Sequence, residues 1–236
     1  MSQSPIENQN RIYKNQGNAP VLALLNENPH RVLDVGCGAG DNACLLKSQY
    51  PECQVHGVTH SAAEAEIARK WMTACWVFDI ETAIPDDLCT MRFDAVLLSH
   101  VLEHLRDPAG TLSRFAKLLR PGGCVIIAVP NTLSWAMRWQ FVRGDFQYRP
   151  DGVLDDTHLR FFTYLTADRY LLRKTPELKL VSKSVTGNMP QWLLRRYLLP
   201  KSWSNRIDAL GCRFWPNLFG DQVLLKAVTP CVDTAT

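Results

Sequence analysis

Apolar and polar positions follow two alternating rhythms along this chain. From Val21 onward, short β-branched runs take turns with longer segments whose apolar residues recur every three or four positions. Arg31–Val35 (RVLDV) has the pattern of a buried strand, and Asp41–Gln49 reads as the helix after it. Gln54–Val58 predicts a second strand, with Ser61 as N-cap of a helix over Ala62–Thr73. Trp76–Phe78 and Phe93–Leu98 predict a third and a fourth strand. A helix is expected after the fourth, ending near Leu119 where Pro121-Gly122-Gly123 breaks it. Cys124–Val129 predicts a fifth strand. Beyond Pro130 the rhythm changes: Asn131–Asp151 starts helical and becomes a loop rich in aromatic residues and Arg. Thr166–Lys174 predicts a helix, Lys179–Val185 a sixth strand and Gln222–Val228 a seventh. Strands separated by helices form βαβ units, hence a mostly parallel sheet with helices on both faces in one domain over residues 1–236. Residues 1–20 read as an N-terminal arm, and residues 187–220 as a helical or loop insertion, or a lid, before the last strand.

Composition narrows the class. Of 236 residues, 46% are hydrophobic and 21% charged, which is enough apolar material for a sizeable core. A net charge of +3 is too small to imply nucleic acid, and none is expected as a partner. The eight cysteines show no CxxC pairing, and no basic-then-apolar leader precedes them; both point to reduced thiols in the cytoplasm. No apolar run is long enough to span a bilayer.

The sharpest local signal is Asp34-Val35-Gly36-Cys37-Gly38-Ala39-Gly40, directly after the first strand. Its glycines permit a tight turn and close approach to a ligand. The GxGxG spacing differs from the GxGxxG of dinucleotide sites, and a carboxylate suits a cationic ligand better than a phosphate. From about Val32 to Asn131 the chain resembles the class I S-adenosylmethionine (SAM)-dependent methyltransferases, of the type 11/23 kind. The resemblance implies a Rossmann-like, doubly wound, seven-stranded sheet with SAM as cofactor. It also implies that Asp34, Gly36, Gly38 and Gly40 contact the methionine part and Asp79-Ile80 the adenine, with Ser99 in the donor site. The family's acid for the ribose hydroxyls is missing, because the second strand ends Gly57-Val58-Thr59-His60. Thr59 or His60 is the expected substitute. Asp79 has a blander reading, as a surface residue starting a turn.

Ser99-His100-Val101-Leu102-Glu103-His104 follows the fourth strand. If a helix starts there, His100, Glu103 and His104 share one face. A similar Glu-x-x-Glu-His pattern occurs in ubiquinone-pathway O-methyltransferases and small-RNA 2′-O-methyltransferases, where it binds a divalent cation. The resemblance makes His158 a fourth ligand, and the His-rich set favours Zn²⁺, Mn²⁺ or Fe²⁺ over Mg²⁺. Without metal, His100 or His158 is the candidate general base, and His104 stands with them among the candidate catalytic residues. In a third reading, Leu-Glu-His only stabilises the start of a helix.

The segment from Asn131 through Tyr148 to Thr157-His158-Leu159-Arg160-Phe161-Phe162-Thr163 resembles bacterial methyltransferases of glycan pathways. Trp135, Trp139, Phe146, Tyr148 and Arg160 are the candidates for contact with a sugar acceptor. Residues 191–203 are cationic and amphipathic, which suits a lid, a homodimer face or peripheral contact with the inner membrane. The leading expectation is O-methylation of a sugar or another hydroxylated small molecule. The alternatives are N- or C-methylation of a natural product, RNA 2′-O-methylation and a non-catalytic subunit of the same fold.

Overall fold

The computed structural model describes residues 16–26, 28–188 and 201–231. Seven strands form one sheet: β1 (Arg31–Val35), β2 (Gln54–Thr59), β3 (Ala74–Val77), β4 (Phe93–Ser99), β5 (Leu119–Pro130), β6 (Lys179–Thr186) and β7 (Gln222–Val228). Their order across the sheet is β3-β2-β1-β4-β5-β7-β6. The first five are mutually parallel, while β7 runs antiparallel to both β5 and β6. The expected doubly wound, mostly parallel sheet is present.

Period-two alternation decides where each side chain goes. Leu33, Val96, Leu98, Val125 and Ile127 face one core layer, which holds Leu112 and Phe115 of α5 (Pro108–Ala116) and Leu171 of α7 (Ala167–Leu171). Val32, Ala95, Leu97, Ile126 and Ala128 face the other, against α1 (Ala19–Leu22), α2 (Asp41–Gln49) and α3 (Ala62–Ala68). Because both faces are buried, the central strands read as nearly continuous apolar runs.

Among the described residues, the remaining α-helices are α4 (Asp86–Cys89), α6 (Trp135–Val142), α8 (Lys201–Phe214) and α9 (Pro216–Phe219). Several boundaries differ from the sequence pattern. The helix expected after β4 is in fact a 3₁₀ turn over Leu102–His104 followed by α5. Helix α5 stops at Ala116, so Pro121-Gly122-Gly123 terminates no helix. The tripeptide lies in an irregular step of β5, where the register jumps from Phe93↔Leu119 to Ala95↔Cys124. Helix α3 ends at Ala68 rather than Thr73, and residues 187–220 contain α8 and α9. Among the described residues, no helix is long and apolar enough to cross a membrane.

Candidate active site

A cavity of about 1310 Å³ opens at the carboxyl ends of β1, β2 and β4. In a doubly wound sheet that edge collects ligands, because the loops on either side of it diverge. The Gly36 and Cys37 amides donate to Val58 O at 2.8 and 2.9 Å, which pins the glycine loop to β2. Gly36 and Gly38 line the cavity with φ of +75° and +51°. A Cβ on Gly36 would collide with the Val101 side chain. Gly40 does not line the cavity. It caps α2 at φ +87°, where a Cβ would lie 3.0 Å from Ala68 Cα, so this glycine lets α2 approach α3. Asp34 is buried behind the loop. Its Oδ1 is 3.5 Å from Asn42 Nδ2, and its Oδ2 has no partner among the described residues. Burial, partly offset by Asn42, pushes the Asp34 pKa from 3.8 up to about 7.

The end of β2 holds a carboxylate that its own residues do not supply. Thr59 Oγ1 donates to Glu64 Oε2 at 2.7 Å and accepts from the Ser61 amide, so its hydroxyl serves the protein. Glu64 is buried in the first turn of α3 yet lines the cavity. The reading of Thr59 and His60 missed it, although Ser61 and Glu64 have the spacing of a capping box and the Ser61 hydroxyl does accept from the Glu64 amide. Exposed His60 and Asp79 and half-buried Ile80 also line the cavity. Asp79 Oδ1 accepts from the Glu81 amide at 2.9 Å, so the residue does start a turn.

The histidines separate into two groups. His100 has a left-handed backbone, φ +55°, and both of its ring nitrogens are engaged: Nδ1 with Glu103 Oε1 at 3.3 Å and Nε2 with Gln222 Oε1 at 2.8 Å. Burial opposes a charge on His100, but the Glu103 carboxylate and Gln222 outweigh it and raise the pKa. The single helical face expected for His100, Glu103 and His104 therefore does not form, and His100 stands outside the candidate ligand group. Glu103, His104 and His158 compose that group, each offering a ligand atom within 4.8 Å of the others.

His158 reaches this place because the Leu159 and Arg160 amides both donate to Glu103 O, at 2.9 and 3.0 Å. The His104 and His158 rings meet edge to face with centroids 4.6 Å apart. His158 Nδ1 lies 2.9 Å from Val153 O, a carbonyl that can only accept, so Nδ1 carries the proton. His104 Nδ1 lies 2.9 Å from Thr157 Oγ1. Burial lowers the His104 pKa, and neighbouring His158 adds to the effect against the pull of Glu103, so this imidazole is neutral at pH 7. Glu103 is itself buried, and its Oε2 has no partner among the described residues.

The acceptor candidates are not gathered in the same way. Trp135 and Trp139 stack on each other at 6.1 Å on the outer face of α6, and Tyr148 packs edge-on to Phe146. None of these four lines the cavity, and neither does Arg160, whose guanidinium donates to Arg106 O. The cavity wall is instead closed by Pro150–Val153, Asp155, Thr157 and the two ends of the fold. Asn18 Nδ2 donates to Ser99 Oγ at 3.1 Å and to Gln222 Oε1 at 3.0 Å, and Gln222 Nε2 donates to Thr186 Oγ1 at 2.7 Å. Asn18 and Gln222 carry no recognisable motif, and only the topology of the sheet brings them together. Most of the amphipathic stretch 191–203 lies outside the described residues.

A sequence profile of the family described as "Methyltransferase domain" matches residues 8–172. The chain belongs to the class I SAM-dependent methyltransferases. This methyltransferase is 30% identical over 178 residues to the ubiquinone biosynthesis O-methyltransferase of Alkalilimnicola ehrlichii, covering 72% of this chain and 68% of that one. It is 34% identical over 124 residues to the trans-aconitate 2-methyltransferase of Pseudomonas paraeruginosa, covering 49% of this chain and 44% of the relative. The methyltransferase thus spans less than half the length of the trans-aconitate relatives that it matches. In fold it is similar to a SAM-dependent methyltransferase from Archaeoglobus fulgidus, with TM-score 0.56, 19% identity, and 89% of each chain covered.

Proposed function

We propose that this methyltransferase moves the SAM methyl group to a hydroxyl oxygen of a small polar acceptor such as a sugar. The donor would lie over Gly36–Gly38, with its ammonium in the field of Asp34, its ribose hydroxyls on Glu64 and its adenine beside Asp79 and Ile80. The acceptor would enter past Pro150–Val153 and present its oxygen to His104 and His158. In the reaction the oxygen forms a bond to the methyl carbon as the carbon–sulfur bond breaks. The hydroxyl proton passes to an imidazole Nε2, leaving a methyl ether, S-adenosylhomocysteine and an imidazolium.

One observation carries this reading. Two imidazoles whose Nδ1 atoms are engaged by the protein border the cavity beside the buried Glu103 side chain. A carboxylate acceptor, as the name of the trans-aconitate relatives suggests for them, is already ionised and needs no base; a hydroxyl does. The name of the ubiquinone-pathway relative also points to oxygen.

A second reading rests on a Glu103 carboxyl oxygen within 4.8 Å of a ligand atom of each histidine and on Glu103 Oε2, which has no partner among the described residues. Glu103, His104 and His158 would hold a divalent ion, with the nitrogen-rich set favouring Zn²⁺, Mn²⁺ or Fe²⁺. Such an ion would lower the pKa of an acceptor hydroxyl. Elemental analysis and Zn²⁺ calorimetry on wild type and Glu103→Gln test it: tight binding that the variant loses supports the ion, and no binding by wild type removes it.

The main proposal is tested with labelled SAM and matched acceptor panels of alcohols and carboxylic acids. His104→Ala is expected to lower kcat by about 10²–10⁴-fold, with SAM affinity by calorimetry almost unchanged. Full activity in that variant, or turnover confined to carboxylic acids, would overturn it.

A further inference from the structure

We propose that Thr157 and Asp155 are positioning residues that fix the tautomer of His104, so that its Nε2 meets the acceptor as a lone pair. The proposal rests on the reading of His104 as the group that receives the proton. A neutral imidazole has one N–H, and whichever nitrogen holds it cannot act as a base; the partner of the other nitrogen decides the outcome.

The partner here is a hydroxyl, which is ambiguous by itself because it can donate or accept. Asp155 removes the ambiguity. Its Oδ1 takes the Thr157 hydroxyl proton at 2.6 Å and the Thr157 amide at 2.8 Å. With its only proton committed to a carboxylate, Thr157 Oγ1 can only accept, and Nδ1 of His104 at 2.9 Å must donate. The unprotonated nitrogen is then Nε2. Were Asp155 absent, Thr157 could turn its proton onto Nδ1, and the hydrogen would move to Nε2, the wrong side for a base.

The loop is built to hold this chain of groups still. Asp155 is 6% exposed, so water competes little for its carboxylate. Arg149 and Asp155 form a bridge in which the Arg149 amide donates to Leu154 O and the Asp156 amide to Arg149 O, at 2.9 and 3.0 Å. The His158 amide donates back to Asp155 O at 3.1 Å. Immediately afterwards the Leu159 and Arg160 amides clamp the loop onto the main chain of Glu103, next to His104. Both histidines are therefore set by the same strip of backbone. For His158 a carbonyl does the work, and for His104 an Asp–Thr pair does.

Ring-nitrogen NMR on ¹⁵N-histidine-labelled protein reads the tautomer directly, with the His104 signals assigned by their loss in His104→Gln. Wild type and Thr157→Ser, which keeps the hydroxyl, are expected to show Nδ1–H. Thr157→Val and Asp155→Ala should populate Nε2–H and lower kcat on the order of 10–100-fold, while KM for SAM stays within about twofold of wild type. Thermal melts identify any variant that fails to fold, and Thr157→Ser then decides by matching wild type in both tautomer and kcat. An unchanged tautomer in folded Thr157→Val, or Nε2–H in wild type, overturns the proposal. A tautomer that flips while kcat holds leaves the positioning intact and removes instead the assignment of His104 as proton acceptor.

Discussion

Asp34 sits within β1 with 1% of its surface exposed and one oxygen without a partner among the described residues. That is an unfavourable place for a charge until a cation arrives. With a pKa raised from 3.8 to about 7, the folded protein keeps this proton at pH values where the unfolded chain has lost it. The contribution of this group to stability is thus complete below about pH 4 and is lost as the pH rises through 7. A cationic donor reverses the trend by favouring the ionised form. The rise in melting temperature on adding SAM should therefore be larger at pH 8 than at pH 6, and Asp34→Asn should flatten the difference; differential scanning fluorimetry measures both. The turn at Gly36 and Gly38 was legible in the sequence because a tight turn next to a strand leaves few alternatives, whereas the place of Gly40 between α2 and α3 was not. Glu64 was less legible than the turn. Its part depends on Thr59 and Ser61 turning their polar atoms inward, which a residue-by-residue scan of the strand end does not show.

Among the elements, β5 and α9 are tied by one side chain. Asn131, fully buried just past β5, donates from Nδ2 to Asn217 O at 3.2 Å and Gly220 O at 2.8 Å, and accepts the Leu133 amide on Oδ1. Replacing it with alanine strands the buried Gly220 carbonyl, the half-buried Asn217 carbonyl and the Leu133 amide, which should cost about 2–3 kcal/mol. A lower urea midpoint with unchanged slope is the expected result, and a shift under a few tenths of a molar would argue against the tie. The strands were legible because β1, β4 and β5 carry short, β-branched, nearly continuous apolar runs bounded by turn residues. Helix ends were harder to place. Past Ala68 the chain turns tightly so that Thr73 can reach the Val55 carbonyl, and past β4 a left-handed His100 diverts the backbone before any α-helix starts. Within the helical or loop insertion expected before β7, the bounds of α8 were not legible, because apolar residues such as Trp203 and Leu210 are exposed rather than turned to the core.

For the molecule as a whole, the cavity and the aromatic face of α6 are separate surfaces. S-adenosylhomocysteine should slow amide hydrogen exchange at residues 17–18, 36–42 and 99–104 and leave residues 135–148 unchanged. Protection spreading over 135–148 would mean that α6 closes on the donor, contrary to its position outside the cavity lining. The arrangement of β5, β7 and β6 also has a consequence for how the protein is made. Translation delivers β6 long before β7, yet β7 is the strand that lies between β6 and the rest of the sheet. A nascent chain must therefore hold the side of β5 open, with its ladder unmatched, until the last strand emerges and slots in. That interval is when a neighbouring polypeptide could pair in its place.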